Sequence, residues 1–401
     1  MPASRPPDAM RILLWMCVII AINQLGFGAL LPVLPLSAQS FGVSVSAVGM
    51  TIAIYGLARF ISAMPSGRLA DHLGRRPTLA LGGLVSAAGN FWCAYAGSFG
   101  EFMAARFIAG AGAGIILTIG AVILADISPV ARRGRMMAAY QGTFLFAVGV
   151  GPFPGGLLAE HFGLAAPFEV YAFAGLLAGL VTWFTIPETR DFGASTAGGA
   201  TPPRLPFMAQ VRVLMAVTGY RLVSLVGFVQ AVVRTGGLFN VVPVIAAAKL
   251  GLGAGQIGTG LAIGSVIGLL AAWPGGVIAD RHGRKKVIVP STLLTGLAMT
   301  GFCVASGFTG FVIASLLWGV ATSISAAAPA AYAADSAPRG MNAAAMSTYR
   351  MLSDIGYVVG PIGLGLLVDW QGGEATLLFA AAMIIIAGLL FARYAPETHR
   401  A

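Results

Sequence analysis

The sequence predicts an all-α integral membrane protein, with twelve transmembrane helices in two pseudo-symmetric six-helix bundles. Three observations carry that prediction. Hydrophobic residues make up 57% of the 401 and charged residues only 9%, where soluble domains hold roughly 25% charged residues. Twelve apolar runs are each long enough to cross a bilayer, which takes about 20 residues. Landmarks also recur at one offset: Asp71 and Asp280, Asp126 and Asp335, Pro152 and Pro361, and Pro187 and Pro396 are each 209 residues apart, in matching local sequence. Four unrelated signatures at one spacing mean that a unit of about half the chain was duplicated head to tail. In a membrane protein, that points to two bundles meeting at a central site.

In chain order, the runs lie at about 12–36, 47–66, 78–97, 101–125, 136–159, 167–186, 214–245, 256–279, 287–306, 309–333, 342–368 and 375–394. The first is too long for a cleaved signal and is read as a retained span. Glycine and proline inside the runs are tolerated because neighbouring helices re-satisfy the freed backbone groups. The Pro- and Gly-rich segment 190–212 falls where the repeats join. The expected organisation is therefore an N-terminal bundle 1–189, a cytoplasmic linker 190–212 and a C-terminal bundle 213–401.

Charge sets the expected orientation. With the N-terminus inside, the inner loops and tails hold eighteen of the 24 Lys and Arg residues, while the outer loops hold only Lys249. That is the positive-inside asymmetry. The net charge of +10 is thereby spent on topology. It points to anionic lipid as the contact and makes a nucleic-acid partner unnecessary. Cys17, Cys93 and Cys303 sit in apolar runs, and His72, His161, His282 and His399 sit in loops or tails. Neither a disulfide framework nor a metal site is expected, no cofactor is implied, and no nucleophile stands beside a base as an enzyme would need.

The loop after span 2 reads Gly67-Arg-Leu-Ala-Asp71-His-Leu-Gly74-Arg75-Arg76, and the second half repeats it as Gly276-Val-Ile-Ala-Asp280-Arg-His-Gly283-Arg284-Lys285. Span 4 begins Arg106-Phe-Ile-Ala-Gly110, and span 5 ends Gly151-Pro152-x-x-Gly155-Gly156. In these motifs the chain resembles the major facilitator superfamily, and most closely its twelve-span drug:proton antiporter branch. The resemblance implies a transporter that functions as a monomer, while the Ala- and Gly-rich composition points to a bacterial inner membrane and the basic loops place both termini in the cytoplasm. The resemblance further implies a cytoplasmic gate at Gly67, Asp71, Gly74, Arg75, Arg76, Asp126, Glu188, Asp280 and Arg284, and a helix-bending motif at Gly151, Pro152, Gly155 and Gly156. The chain departs from the branch in span 1, where many relatives carry an acid and this sequence has Asn23 and Gln24.

Ionisable groups at membrane depth are expensive and are functional candidates by default. Arg59, Arg106, Arg234, Arg350 and Asp354 qualify, with Asp354 the carboxylate nearest the middle of a span. Asp354 and Arg350 are the candidates for proton coupling; a self-neutralised structural pair is the alternative. Asn23, Gln24, Phe27, Arg106, Gln230, Arg234 and Asn240 are the candidate substrate-binding residues, amides among large apolar walls. The expected function is alternating-access export of small amphipathic or drug-like molecules coupled to protons. An organic-anion transporter with an arginine-lined cavity is the alternative within the class, and a non-transporting membrane sensor the alternative outside it.

Overall fold

The computed structural model describes residues 9–128, 133–189, 206–324, 328–338 and 341–397, and the regular structure among them is helical. A bilayer core offers no water to backbone N–H and C=O groups, so a spanning chain satisfies them within helices. Eleven described helical segments are long and apolar enough to cross a membrane. A twelfth, Arg75–Ala94, has the 20 residues needed but opens on two arginines and carries Asn90, which makes it less apolar. Large apolar side chains such as Phe91, Phe173, Phe184, Leu270 and Trp370 stand exposed on the helices, the surface a lipid-embedded protein requires. This is an all-α, multi-pass membrane protein.

The helices run α1 (Ala9–Leu30), α2 (Leu34–Gln39), α3 (Val45–Leu73), α4 (Arg75–Ala94), α5 (Phe99–Ile127), α6 (Arg133–Val150), α7 (Pro152–Phe162) and α8 (Ala166–Thr185). The second half continues with α9 (Phe207–Ala216), α10 (Thr218–Val232), a π-helical segment (Val233–Val241) and α11 (Val242–Leu250). Then follow α12 (Ala254–His282), α13 (Lys285–Val304), α14 (Gly307–Ile324), α15 (Ala328–Asp335), α16 (Asn342–Gln371) and α17 (Gly373–Tyr394). Most of the expected 190–212 connector lies outside the described residues, and its residues 207–212 belong to α9.

The chain divides into two units, Met1–Ser37 with Ile54–Ala200 and Ala38–Ala53 with Thr201–Ala401. In the first unit, α4 packs between α5 and α8, and α1 packs along α6. Met16, Ile19 and Ile20 of α1 meet Ile116, Ile119 and Ile123 of α5 and Tyr140 of α6 in its buried core. The second unit repeats the pairing at the 209 offset: α13 packs against α14 and α17, and α10 packs along α16. The duplication seen in the residues is thus also a duplication of helix contacts.

Small residues set the closeness of these pairs. The backbone bonds from Gly151 N–H to Ala147 and from Gly155 N–H to Gly151 carry the helix through the α6–α7 junction. The face bearing Gly151 and Gly155 lies directly on Leu25, Gly28 and Ala29 of α1. Gly319 of α14 meets the backbone of Gly264 in α12 in the same way, whereas Gly142 faces open space. Gly155→Ala and Gly319→Ala should each destabilise the protein by about 1–3 kcal/mol, the cost of overpacking against a backbone atom that cannot move aside. Gly142→Ala should be neutral or slightly stabilising, since alanine is the better helix former. Thermal unfolding in detergent would check the contrast; equal melting temperatures for all three would contradict the close packing.

Candidate functional site

The charged loop after α3 is built on a glycine that other residues cannot replace. Gly74 has φ 103°, a region that L-residues rarely adopt, and a methyl there would also overlap the Glu188 carboxylate. The turn aims the first N–H groups of α4 outward, and Glu188 accepts them from Arg75 at 2.8 Å and Arg76 at 3.3 Å. A carboxylate so placed satisfies orphan donors and complements the helix dipole. The Arg75 side chain reaches Asp71 at 2.6 Å and Asp126 at 3.3 Å. Thr189 donates its hydroxyl to the same Asp126 oxygen at 3.3 Å, and the Arg76 guanidinium lies 4.5 Å from the Trp183 ring centre. The ends of α3, α4, α5 and α8 are therefore tied in one knot. Gly67 is half-buried with open space where a side chain would go.

The same knot is tied again 209 residues later. Gly283 has φ 104°, Glu397 accepts the N–H groups of Arg284 at 3.1 Å and Lys285 at 3.5 Å, and Arg284 Nε lies 3.6 Å from Asp335. Lys285 adds a bond to the Ala395 carbonyl at 2.7 Å. Glu397 and Asp335 were not among the candidate gate residues. The signal that finds them was present, because each is its first-half counterpart, Glu188 or Asp126, displaced by 209. The side chain of Asp280, which was a candidate, lies outside the described residues.

At membrane depth, the first unit holds Arg106 almost fully buried, at 1% exposure. Its guanidinium sits 4.3 Å from the centre of the Tyr55 ring. Tyr55 in turn stacks on Phe27 at 5.5 Å and shares a hydroxyl contact with Tyr171 at 3.3 Å. A desolvated cation over an aromatic face is worth about 2 kcal/mol, so this stack helps to offset the expense of the charge. Gly26 lies under the Tyr171 ring, which lets α8 come close to α1. Asn23 and Gln24 are both buried, and among the described residues no group pairs with either polar atom of Asn23. Leaving such a group unsatisfied costs roughly 1–3 kcal/mol.

The second unit places its deep residues on a distorted helix. Arg234 is the second residue of the π-helical segment and lies 5.6 Å from the centre of the Phe239 ring. It is deep among protein atoms and yet exposed, unlike its buried neighbours Val233 and Thr235. Gln230, one turn before it, is half-buried. Asn240 is fully buried and donates its amide to the Pro361 carbonyl at 3.1 Å. Pro361 lacks an N–H, which frees the Tyr357 carbonyl four residues earlier, and Thr235 donates to that carbonyl at 3.3 Å. On α16, Asp354 is half-buried and Arg350, one turn earlier, is exposed. Glu101 and Glu169 serve the ends of helices instead: Glu101 accepts Gly97 N–H at 2.9 Å, and Glu169 accepts the Tyr95 hydroxyl at 2.7 Å.

Because the two knots share one geometry, Glu397→Gln should destabilise the protein about as much as Glu188→Gln, by roughly 1 kcal/mol through the lost cap. Thermal unfolding of the two single variants measures this. A large loss for one and none for the other would contradict the equivalence.

The comparisons with known proteins agree with this architecture. The family model described as Major Facilitator Superfamily matches residues 16–232 and 223–401. The chain is 22% identical to the uncharacterized MFS-type transporter MJ1560 of Methanocaldococcus jannaschii, over 92% of this chain and 94% of that one. It is 24% identical to the multidrug resistance protein MdtL of Shewanella sp., over 78% of this chain and 77% of the relative. Its fold matches the crystal structure of the human organic anion transporter MFSD10 with a TM-score of 0.67 at 19% identity, covering 96% of this chain and 100% of that one. The chain belongs to the Major Facilitator Superfamily of membrane transporters.

Proposed function

We propose that this protein is a secondary active transporter that works by alternating access and exports small amphipathic molecules in exchange for protons. The observation that carries this reading is the knot of charge built twice, 209 residues apart, on corresponding helices of each half. Two matching rigid halves are what a rocking mechanism needs. The halves are residues 1–189 and 213–401, joined by the linker 190–212, with both termini in the cytoplasm of an inner membrane, where the basic loops belong. Asp71, Arg75, Asp126, Glu188, Asp280 and Arg284 then belong to a gate on the cytoplasmic face. The protein acts as a monomer, with the substrate, protons and lipid as its partners. Similarity to a protein named for multidrug resistance supports export.

Asp354 carries the proton in this reading. It is the acid nearest the middle of a span, it is half-buried, and Arg350 lies one turn away. Protonating it withdraws the countercharge from Arg350, so one change of charge acts on two side chains. A second reading, transport of an organic anion, is favoured by one observation: Arg234 sits at membrane depth with its side chain exposed, between buried neighbours. A donor-rich guanidinium recognises a carboxylate well.

Everted vesicles with a pH-sensitive dye separate the readings. A cationic or neutral compound that collapses the proton gradient only in the presence of the protein is the expected result, with the signal lost in Asp354→Asn. Arg234→Gln should then reduce transport several-fold at most. If instead a labelled anion crosses without moving protons, and Arg234→Gln abolishes its transport, proton-coupled export is wrong and the anion reading replaces it.

A further inference from the structure

The N-terminus of α3 is held by a residue more than 300 positions away. Val45 N–H donates to one carboxylate oxygen of Asp369 at 2.9 Å, and Ser46 N–H donates to the other at 3.0 Å. Two further contacts follow on the same face of α16 at four-residue steps. Gly365 allows Ser46 to approach so closely that a methyl on it would lie 2.7 Å from the Ser46 Cα. Pro361 presents its carbonyl to Gly49, where any side chain would overlap it, and Asn240 donates to that carbonyl at 3.1 Å. Asp369, Gly365 and Pro361 thus form a three-step seam against the first turns of α3.

The seam lies within the second unit, yet α3 does not end there. Residues 45–53 group with the second unit, and from Ile54 onward the same helix belongs to the first. Motion between the units therefore either bends α3 near Ile54 or parts this seam. Its chemistry suits parting. Apart from Asp369 and Asn240, it is made of glycines, a proline, small serines and backbone, so no large apolar side chains interdigitate. The Asp369 end is exposed, so its carboxylate and the two freed N–H groups can take up water. A substitute cap is in place, because the Ser44 hydroxyl already accepts Ala47 N–H at 3.3 Å. Glu188 and Glu397 hold the starts of α4 and α13, each of which lies wholly within one unit, and are not placed to act this way.

We propose that Asp369 is a releasable latch for the transport cycle, clamping the start of α3 to α16 in one state and letting it go in the other. The latch lies at the end of α3 opposite the Gly67–Arg76 loop, which is the extracytoplasmic end in the proposed orientation. The inference rests on the alternating-access reading.

The test uses the full-length protein with Cys17, Cys93 and Cys303 replaced by serine and a single probe, Val48→Cys. Val48 is fully buried, one turn into α3 beside the seam. Its labelling by a membrane-impermeant maleimide is followed in intact cells. Losing a two-pronged charged cap should raise the labelling rate roughly tenfold in Asp369→Ala. Gly365→Ala, which wedges the middle step and keeps the carboxylate, should also raise it. Asp369→Glu should fall between the intact protein and Asp369→Ala. An unchanged rate in both Asp369→Ala and Gly365→Ala, with both proteins folded by thermal unfolding, overturns the latch. If Asp369→Ala does not fold, Gly365→Ala decides alone. Adding a transported compound distinguishes the two levels of failure. A labelling rate that still responds to the compound but ignores Asp369 removes only the latch, whereas a rate that responds to neither removes the alternating-access reading as well.

Discussion

A carboxylate seated on the first N–H groups of a helix is the interaction on which the rest of this structure depends. Among the described residues it occurs three times. Glu188 holds the start of α4, Glu397 the start of α13 and Asp369 the start of α3. In a protein that is only 9% charged, such contacts matter because little else ties helix ends together. Apolar packing between membrane helices has no hydrophobic driving force behind it, since lipid tails are as apolar as leucine. The glycine seams let helices approach, and the carboxylates fix where each one begins. At two of the three sites a glycine with positive φ precedes the capped turn, which is why the loop motif cannot be written with another residue.

Much of the fold was legible in the sequence because membrane insertion leaves so strong a signature. A run of about 20 apolar residues has few alternatives to a spanning helix, and one offset of 209 residues related the halves before any contact was known. The repeat also contained more than was first taken from it. Glu397 and Asp335 follow from Glu188 and Asp126 by that offset, and the structure gives them the same partners. The apolar pattern was weakest at α4, whose two leading arginines and Asn90 dilute it.

What the sequence did not disclose has physical reasons. A nine-residue π-helical segment has the same composition as an α-helix, so Val233–Val241 left only the Gly236-Gly237 pair as a hint. The Asp369 contact joins positions 324 and 323 residues apart, and no local pattern encodes such a pairing. Asn23 and Gln24 were expected to line a cavity from their residue type and their place in span 1. Both are buried in this structure, whereas the Arg234 side chain is exposed. Residue type indicates that a group is expensive in a membrane, but not whether its side chain ends up buried or exposed. The substrate reading leans on that last distinction, since a reachable arginine and a buried one make very different ligands.

The central claim, that two matched halves alternate between states, is tested most directly by distances between paired spin labels. Phe162 and Gln371 are exposed and equivalent by the 209 offset, and they mark one end of the halves. Leu73 and Lys286, also exposed, mark the other. The account predicts two populations for each pair that shift in opposite directions when pH or a transported compound is changed, one end closing as the other opens. A single distance at both ends that no condition alters would contradict it.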